Sequence, residues 1–502
     1  MPQSSTAMAT KPPFPFVVER MSKVDTAWLR MDCPTNLMMI LGVWIIKPAI
    51  RYAAVSERIA DRLLKYPRFT QRVQLDTTGA NWITDTEFDI RRHVVREKLP
   101  SSARAQPQQA LQARLAELAM QPLDQRHPLW EFRLIEHYDG GSALLVRIHH
   151  CIADGLALIA VIQSIVDGGA EPPRRRVKPP PAQGWEAAEE WMQHTLIEPL
   201  TVAAVKAIGA AGVGAAQAFG AMADPRNVLE KWFAEGLGKG KVTSTEAARM
   251  AYQVVRDGAA LALMADDSPT RLKGMPGHTK RVAWCEPLPL DEVRAVSKAL
   301  RCSINDVLLA CVAGAIGRYL QSKGDSVACK EIRAMVPVNL RPMTEAYKLG
   351  NKFGLAPVVL PVGVDNPVAR LFEVRRRMSD LKGSMQPLLA FALLAVAGVL
   401  VKPVQDAMLN LFAKKTTAVM TNVPGPRDKL TFCGGTLEQT MFWVPQSGTV
   451  GLGVSILSYG GGVQFGVISD TTLCPDPQAI IDQFAPEFEK LKLLTLMLPW
   501  GE

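Results

Sequence analysis

One run of residues, between Ala143 and Val166, constrains the fold of this chain more than any other. Residues 143–148 are mostly apolar and strand-like, and His149-His150-Cys151-Ile152-Ala153-Asp154-Gly155 follows them directly. Residues 156–166 are again apolar, with a length and composition that predict a helix. A buried strand that passes through a short loop into a helix is typical of an α/β fold. We therefore expect both histidines at the end of a strand, beside the start of a helix.

The two histidines are the candidate catalytic groups. Histidine has an unperturbed pKa close to neutral, so it can accept a proton and return it. Neighbouring strand residues point to opposite faces, so we expect one histidine to face a cavity and the other to pack inside. A purely structural role for the pair stays open at this point. Cys151 could be taken for a nucleophile, but a small packing residue is the better interpretation.

Charge and cysteine usage exclude several classes of protein. The formal net charge of +9 favours a partner that carries phosphates, or an anionic membrane surface. No zinc-finger spacing or RNA-binding aromatic motif points to nucleic acid. The eight cysteines are scattered without a Cys-x-x-Cys pair, which indicates reduced cysteines in a cytosolic protein and not a disulfide framework or a metal site.

The chain of 502 residues divides into four segments. Residues 1–16 are polar and predict a disordered tail without a signal peptide. Residues 17–170 predict a first α/β unit, residues 171–265 a Pro-rich basic linker with an Ala-rich helical connector, and residues 266–502 a second α/β unit. The most apolar run, 388–401, is shorter than the roughly 20 residues that span a bilayer, so we expect membrane contact to be peripheral.

Hydrophobic periodicity and turn residues predict the elements of both units. Ser303 and Asp306 have the spacing of a helix capping box. The predicted helices cover residues 25–31, 52–64, 107–120, 156–166, 290–300, 303–320, 367–381 and 476–493. The predicted strands cover residues 37–46, 82–83, 88–90, 132–138, 142–148, 282–285, 332–337, 356–360, 417–421, 450–457 and 463–469.

Eight motifs, in a fixed order along the chain, resemble those of one protein family. They are residues 22–29 (SKVDTAWL), 88–90 (FDI) with 93–94 (HV), 122–124 (PLD) with 128–130 (PLW), 149–155 (HHCIADG), 305–308 (NDVL), 336–341 (VPVNLR), 349–351 (LGN) and 421–426 (TNVPGP). The chain resembles the bacterial wax ester synthase/diacylglycerol acyltransferases, which are coenzyme A-dependent acyltransferases. It departs from them at residues 36–40 (NLMMI), where relatives often carry a Pro-Met-His-like piece.

The resemblance implies a fold and an activity. The fold is α/β, with two chloramphenicol acetyltransferase-like domains, each a mixed sheet flanked by helices, and a substrate tunnel at their interface. The activity is the transfer of a long-chain acyl group from acyl-CoA to a fatty alcohol or to diacylglycerol, without a metal or a bound cofactor. The protein would be cytoplasmic, in peripheral contact with the inner face of the membrane or with lipid inclusions. The oligomeric state stays open.

The resemblance also assigns roles to residues of the seven-residue motif. His150 would be the general base for direct attack of the acceptor hydroxyl on the thioester, in a ternary complex. His149 would support the loop, and Asp154 would turn away from the substrate and pair with an arginine. Gly155 permits the tight turn into the helix.

A donor to the tetrahedral oxyanion is the second requirement of this chemistry. Asn305 is the first candidate, because it lies at a predicted helix N-terminus, and Thr421 with Asn422 is the second. Simple helix capping by Asn305 and a turn at Asn422 are the alternatives. The remaining substrate or structural candidates are Pro122, Leu123, Asp124, Trp130, Asp306 and Arg341. For Pro122, Leu123, Asp124 and Trp130 the resemblance suggests a place near the acyl or alcohol channel, and a turn with a core anchor is the alternative.

Two other functions share parts of this pattern. A condensation-type acyltransferase would carry the same histidine motif but take its acyl group from a carrier protein, and activity on a carrier-bound thioester alone would identify it. A catalytically silent lipid-droplet coat or membrane-binding protein would use the basic linker and the apolar run. Vesicle flotation at low and high salt would separate charge-driven from apolar binding.

Overall fold

A computed structural model describes residues 14–77, 79–100, 105–170, 256–257, 264–341, 345, 348–382, 384, 386–398, 400 and 402–497. In the first half the elements are β1 (Val18–Arg20), α1 (Lys23–Arg30), β2 (Met39–Lys47), α2 (Tyr52–Arg62), β3 (Gln71–Asp76), β4 (Gly79–Thr84), α3 (Ile90–His93), β5 (Val94–Glu97), α4 (Pro107–Ala119), β6 (Trp130–Tyr138), β7 (Gly141–His149) and α5 (Gly155–Ile165). In the second half they are β8 (Lys280–Trp284), β9 (Leu288–Pro289), α6 (Leu290–Ala299), α7 (Ile304–Ser322), β10 (Ile332–Asn339), β11 (Phe353–Leu360), α8 (Pro367–Lys382), α9 (Gln386–Ala397), α10 (Lys402–Ala413), β12 (Ala418–Pro424), β13 (Thr431–Phe432), β14 (Gly435–Trp443), β15 (Leu452–Tyr459), β16 (Gly462–Asp470) and α11 (Gln478–Leu496).

The first large sheet contains six strands in the order β13-β14-β2-β7-β6-β5. Strands β5 and β6 are parallel, and the other neighbours are antiparallel, so the sheet is mixed as predicted. The β6–β7 hairpin ends within two residues of its predicted bounds. Every residue of β2 except Lys47 is buried, because α4 covers one face of the sheet and α5 lies over the other.

Strands β13 and β14 come from the second half of the chain, yet they complete the first sheet. Strand β14 pairs with β2 in an antiparallel register that runs from Thr436 beside Lys47 to Trp443 beside Leu41. The predicted segment 266–502 therefore does not form a single sheet, because residues 431–443 belong to the first sheet. Strand patterning shows that a segment is extended but does not show which strand it pairs with.

The second large sheet has the order β11-β10-β12-β15-β16-β8, with β9 paired to β16. Strand β12 lies parallel to both β10 and β15, and the remaining pairs are antiparallel. Helix α7 is buried along most of its length and packs with α8 and α11 on this sheet. A third sheet, of β1, β4 and β3, is small and antiparallel.

Three predictions from the sequence need correction or qualification. Residues 88–90 are not a strand: Asp89 caps the short helix α3 by accepting a hydrogen bond from the Arg91 amide. Most of the apolar run at 388–401 lies in helix α9, whose mostly buried side chains explain its composition by packing. Phe14, in the predicted tail, contacts Phe88 edge-on, whereas residues 1–13 and 171–255 lie outside the described part of the chain.

In the described segments no single helix is long and apolar enough to cross a membrane; helices α6 and α7 pass that test only together, as a pair bent by 101°.

A buried ion pair joins α8 to α11, and its loss should destabilise the second half. Arg370 and Glu487 are 2% and 1% exposed, and the Arg370 side chain also donates to the Ala310 carbonyl oxygen at 2.9 Å. Glu487→Ala leaves the guanidinium buried without its carboxylate, so we expect a loss of about 3–5 kcal/mol in the free energy of unfolding. Urea unfolding would measure the shift.

The matched control is Glu489→Ala on the same helix. Glu489 is half-exposed and pairs with Lys492 at 2.9 Å, so its removal should cost about 1 kcal/mol or less. Equal effects of the two substitutions would contradict the assignment of a buried, stabilising pair.

Candidate active site

His150 lies in the loop directly after β7 and lines an enclosed apolar cavity of about 370 Å³. Pockets for small molecules commonly begin at about this volume. The cavity walls come from β2, β7 and α5 of the first half, and from β11, β12, β14 and β15 of the second. The predicted site between the two halves is therefore present, and only one of the two motif histidines lines it.

Asn351, two residues before β11, fixes the tautomer of the neutral His150 ring. Its Oδ1 atom lies 2.9 Å from His150 Nδ1, while its Nδ2 atom donates to the His150 carbonyl oxygen at 2.7 Å and to Asp25 Oδ1 at 2.8 Å. Both of these neighbours of Nδ2 are hydrogen-bond acceptors, so the amide nitrogen must face them. The amide oxygen Oδ1 then faces the imidazole and must accept a hydrogen bond from it. Nδ1 therefore carries the hydrogen, and Nε2 keeps the lone pair of a base.

Burial controls the charge of this site. The His150 side chain is 5% exposed, and the loss of water lowers its pKa to about 4. The Trp28 ring stacks on the imidazole with centroids 4.4 Å apart, and Phe353 lies 5.5 Å away. Burial also raises the pKa of Asp25 to about 6, against the hydrogen bonds from Asn351, which lower it. At neutral pH His150 is neutral and Asp25 is ionised.

His149 points to the other side of the sheet, as strand geometry predicted. Its Nε2 atom lies 3.3 Å from Asp32 Oδ2, and its Nδ1 atom accepts the Cys151 amide hydrogen at 3.2 Å. Both contacts hold the loop rather than reach the cavity. Cys151 is fully buried, and burial raises the pKa of its thiol well above the usual range, as expected of a packing residue and not of a thiolate nucleophile.

Asp154 joins the two halves of the protein instead of contacting His150. Its Oδ1 atom caps α5 by accepting the Ala157 amide hydrogen at 3.0 Å. Its Oδ2 atom accepts from Arg341 Nη2 at 2.8 Å and from the Lys352 amide at 3.0 Å. Arg341 is the arginine partner that the resemblance implied for Asp154. Gly155, the first residue of α5, lines the cavity beside it.

Gly350 lets the second-half loop approach this closely. It has φ +96°, a region that residues with a side chain rarely adopt, and a Cβ atom there would lie 3.2 Å from Asp25 Oδ2. Its amide donates to the Ile152 carbonyl oxygen at 2.9 Å, and its own carbonyl oxygen accepts from Arg341 at 2.6 Å. Glycine at this position thus brings Asn351 to the histidine.

The candidates for oxyanion donor are neighbours, but they do not reach the cavity equally. Thr421 and Asn422 line it together with His150, whereas Asn305 is not among the described lining residues. Asn305 instead accepts a hydrogen bond from Asn422 Nδ2 at 2.7 Å. Of the three candidates, Thr421 and Asn422 are therefore the ones that line the cavity with His150, and Asn305 is linked to it through Asn422. Asp306 forms the predicted capping box with Ser303.

Pro122, Leu123, Asp124 and Trp130 line a separate, polar surface groove that does not include His150. Asp124 stabilises a turn by accepting the Arg126 amide hydrogen at 3.0 Å. The Trp130 ring is 1% exposed, and its Nε1 atom donates to the Phe69 carbonyl oxygen at 2.9 Å. These residues therefore form a turn and a core anchor, and they do not line the cavity that contains His150.

Sequence reasoning missed Asp25, Trp28 and Asn351 as members of the site. Each lies inside a motif that carried the family resemblance, but no role was attached to it. Asp25 and Asn351 are 326 positions apart, so no local pattern shows that they meet. The signal available in the sequence was an acidic residue within the short amphipathic helix α1, together with a Gly-Asn pair directly before a strand.

Asp25 makes a testable contribution to the pH dependence of stability. A carboxyl with a pKa of about 6 in the folded protein and about 3.9 unfolded binds its proton more tightly when folded. Wild-type stability therefore falls as pH rises from about 4 to about 6, by on the order of 2–3 kcal/mol from this group. Asp25→Asn removes that loss, so we expect the variant to gain stability relative to wild type over this range.

Urea unfolding of both proteins at about pH 4.5 and about pH 7 measures the difference. His150, whose pKa is lowered, has the opposite effect, because its neutral folded form loses stability as pH falls. Since His150 is present in both proteins, its contribution largely cancels in the comparison. A difference that does not change with pH would contradict the raised pKa of Asp25.

Known proteins are similar to this chain in sequence over most of its length. A probable diacylglycerol O-acyltransferase of Mycobacterium tuberculosis is 25% identical over 470 residues, which cover 91% of this chain and 92% of the relative. A putative diacylglycerol O-acyltransferase of the same species is 29% identical over 424 residues, covering 82% of this chain and 77% of the relative.

Solved structures show the same fold at lower identity. The wax ester synthase/diacylglycerol acyltransferase of Marinobacter aquaeolei VT8 superposes with a TM-score of 0.62 at 19% identity, covering 95% of this chain and all of that one. A starter condensation domain of rhizomide synthetase, in complex with C8-CoA, superposes with a TM-score of 0.53 at 13% identity, covering 95% of each chain.

Two family models show which protein family the chain belongs to. Residues 21–308 match the wax ester synthase/diacylglycerol acyltransferase catalytic domain. Residues 349–492 match the C-terminal domain of the same family. The two matches contain His150 and Asn351 respectively, whose side chains form a hydrogen bond with each other. This chain belongs to the wax ester synthase/diacylglycerol acyltransferase family.

Proposed function

We propose that this protein transfers a long-chain acyl group from acyl-CoA to the hydroxyl of a fatty alcohol or of diacylglycerol, with His150 as the general base. The observation that carries the proposal is a buried, neutral imidazole whose Nδ1 atom is held by Asn351 and whose other nitrogen is left as a base. Its position in an apolar cavity suits substrates with alkyl chains. The names of the relatives support acyl transfer to a diacylglycerol hydroxyl.

The first step forms the new ester bond. His150 Nε2 takes the proton of the acceptor hydroxyl while the hydroxyl oxygen attacks the thioester carbonyl carbon. The carbonyl electron pair moves to oxygen, and a tetrahedral oxyanion results. Both substrates are bound at this point, so no acyl group is attached to the protein. A positioned base of this kind typically contributes ~10²–10⁴ to the rate.

The second step releases coenzyme A. The oxyanion electron pair re-forms the carbonyl, the carbon–sulfur bond breaks, and the departing thiolate takes the proton from His150 Nε2. The products are the ester and the free thiol of coenzyme A, and His150 returns to its neutral form. No electron is gained or lost, so the reaction consumes only the two substrates.

Two groups of residues stabilise the charges that develop. The imidazolium of the first step lies one amide away from ionised Asp25, because Asn351 bridges the two side chains. The oxyanion requires a donor, and the Thr421 hydroxyl and the Asn422 amide are the candidates that line the cavity with His150. Loss of one such donor typically costs ~10²–10³ in rate.

Replacement of His150 is the direct test of the base. We expect His150→Ala to lower kcat by ~10²–10⁴, because the acceptor hydroxyl loses its proton acceptor. Thiol release from palmitoyl-CoA, with hexadecanol or a diacylglycerol as acceptor, measures the rate. The matched control is His137→Ala on the exposed side of β6, which should keep wild-type activity. Equal rates for wild type and His150→Ala would reject the base, and a wild type that uses neither acceptor would reject the function.

The role of Asn351 predicts a characteristic kinetic pattern. Because burial lowers the pKa of His150 to about 4, wild-type kcat/KM should stay high well below pH 6.5 and fall only toward about pH 4. Asn351→Ala releases the imidazole from its fixed tautomer, so kcat should fall by ~10² while KM changes little. A pH–rate profile and the separate kcat and KM values measure both effects. An acid limb at about pH 6.5 in wild type, or a loss in KM alone, would contradict this role.

A further inference from the structure

The cavity floor contains a row of four side-chain positions that runs across the first sheet. Strand register places Phe442 of β14 beside Gly42 of β2, Gly42 beside Val146 of β7, and Val146 beside Phe132 of β6. All four residues line the cavity. Three of them are bulky and apolar, and the fourth position has no side chain. The row therefore has a gap at Gly42.

The backbone at Gly42 does not require glycine. Gly42 lies inside strand β2, and it is not among the described glycines with positive φ. A Cβ atom built there would lie 3.4 Å from Val146 Cβ and 3.7 Å from the Met441 carbonyl oxygen, both ordinary van der Waals separations. A larger side chain would extend into the cavity beyond that Cβ. Glycine at this position keeps space open in the cavity without serving the fold.

The gap lies on the path from His150 to the far end of the cavity. Val146 is four residues before His150, and a strand rises about 3.3 Å per residue, so the row lies roughly 13 Å from the histidine. Ile40 and Ile148 line the stretch between them. Trp44 and Thr440, which pair with each other, form the next row beyond the gap. A chain that extends from His150 toward Trp44 must pass over Gly42.

We propose that Gly42 sets the length of the alkyl chain that this cavity accepts. The chain is a hydrocarbon, because the row and the stretch before it present apolar side chains. It belongs either to the acyl group or to the acceptor, which share this chemistry. The inference rests on the proposed acyl transfer and adds a specificity-determining residue to it.

Two substitutions of graded size test this role. Gly42→Val should lower kcat/KM for a C16 chain by about tenfold or more, since a few misplaced methylenes have effects of this size, and leave a C8 chain within about twofold. Gly42→Ala should give a smaller change in the same direction. One series varies the acyl-CoA from C8 to C16 with a fixed acceptor, and the other varies the alcohol with octanoyl-CoA fixed. The series that responds identifies which chain passes over Gly42.

The control and a binding arm separate this inference from the proposed function. Ala113→Val places the same new side chain on the exposed side of α4 and should leave both series unchanged. Calorimetric binding of palmitoyl-CoA and octanoyl-CoA to wild type and Gly42→Val requires no turnover. Chain-selective loss in binding or in either series supports the role of Gly42. An equal loss at both lengths, or no change at all, overturns it, while thiol release from octanoyl-CoA by the wild type still upholds the proposed function.

Discussion

The contact between the loop of residues 348–352 and the histidine motif is the interaction on which the site depends. Arg341 donates to Asp154 and to the Gly350 carbonyl oxygen, and this brings Asn351 against His150. Removing either partner of a buried ion pair leaves an uncompensated charge, so the pair tolerates little displacement. The surroundings of His150 are therefore assembled by the docking of the two halves, because His150 comes from the first half and Asn351 from the second.

The same burial gives His150 and Asp25 opposite shifts in pKa. Loss of water disfavours the charged form of each group, which lowers the pKa of the imidazole and raises that of the carboxyl. Asn351 lies between them and is uncharged: its Oδ1 atom accepts from His150 Nδ1, and its Nδ2 atom donates to Asp25 Oδ1. An amide at this position orients the base without raising its pKa as strongly as a directly paired carboxylate would.

Local patterns in the sequence predicted the features that depend on neighbouring residues. The β6–β7 hairpin, the Ser303–Asp306 capping box and the opposite directions of His149 and His150 follow from short-range geometry, and the structure contains all three. The Asp25–Asn351 contact joins residues far apart in the chain, and only the tertiary fold creates it. That Asn422 and not Asn305 lines the cavity could not be predicted for the same reason, because a helix N-terminus does not show which neighbour faces a cavity.

Strand β14 also limits how the protein can assemble and move. Its pairing with β2 closes one side of the first sheet, and Leu437, Thr440 and Phe442 from this strand form part of the cavity wall. During synthesis, one edge of β2 would stay unpaired until residue 443 had left the ribosome. Unpaired strand edges are prone to pair with other chains. In the folded protein the halves cannot swing apart without breaking backbone hydrogen bonds of that sheet. Access to the cavity therefore cannot depend on β14 parting from β2, and any opening has to come from segments outside this strand pair.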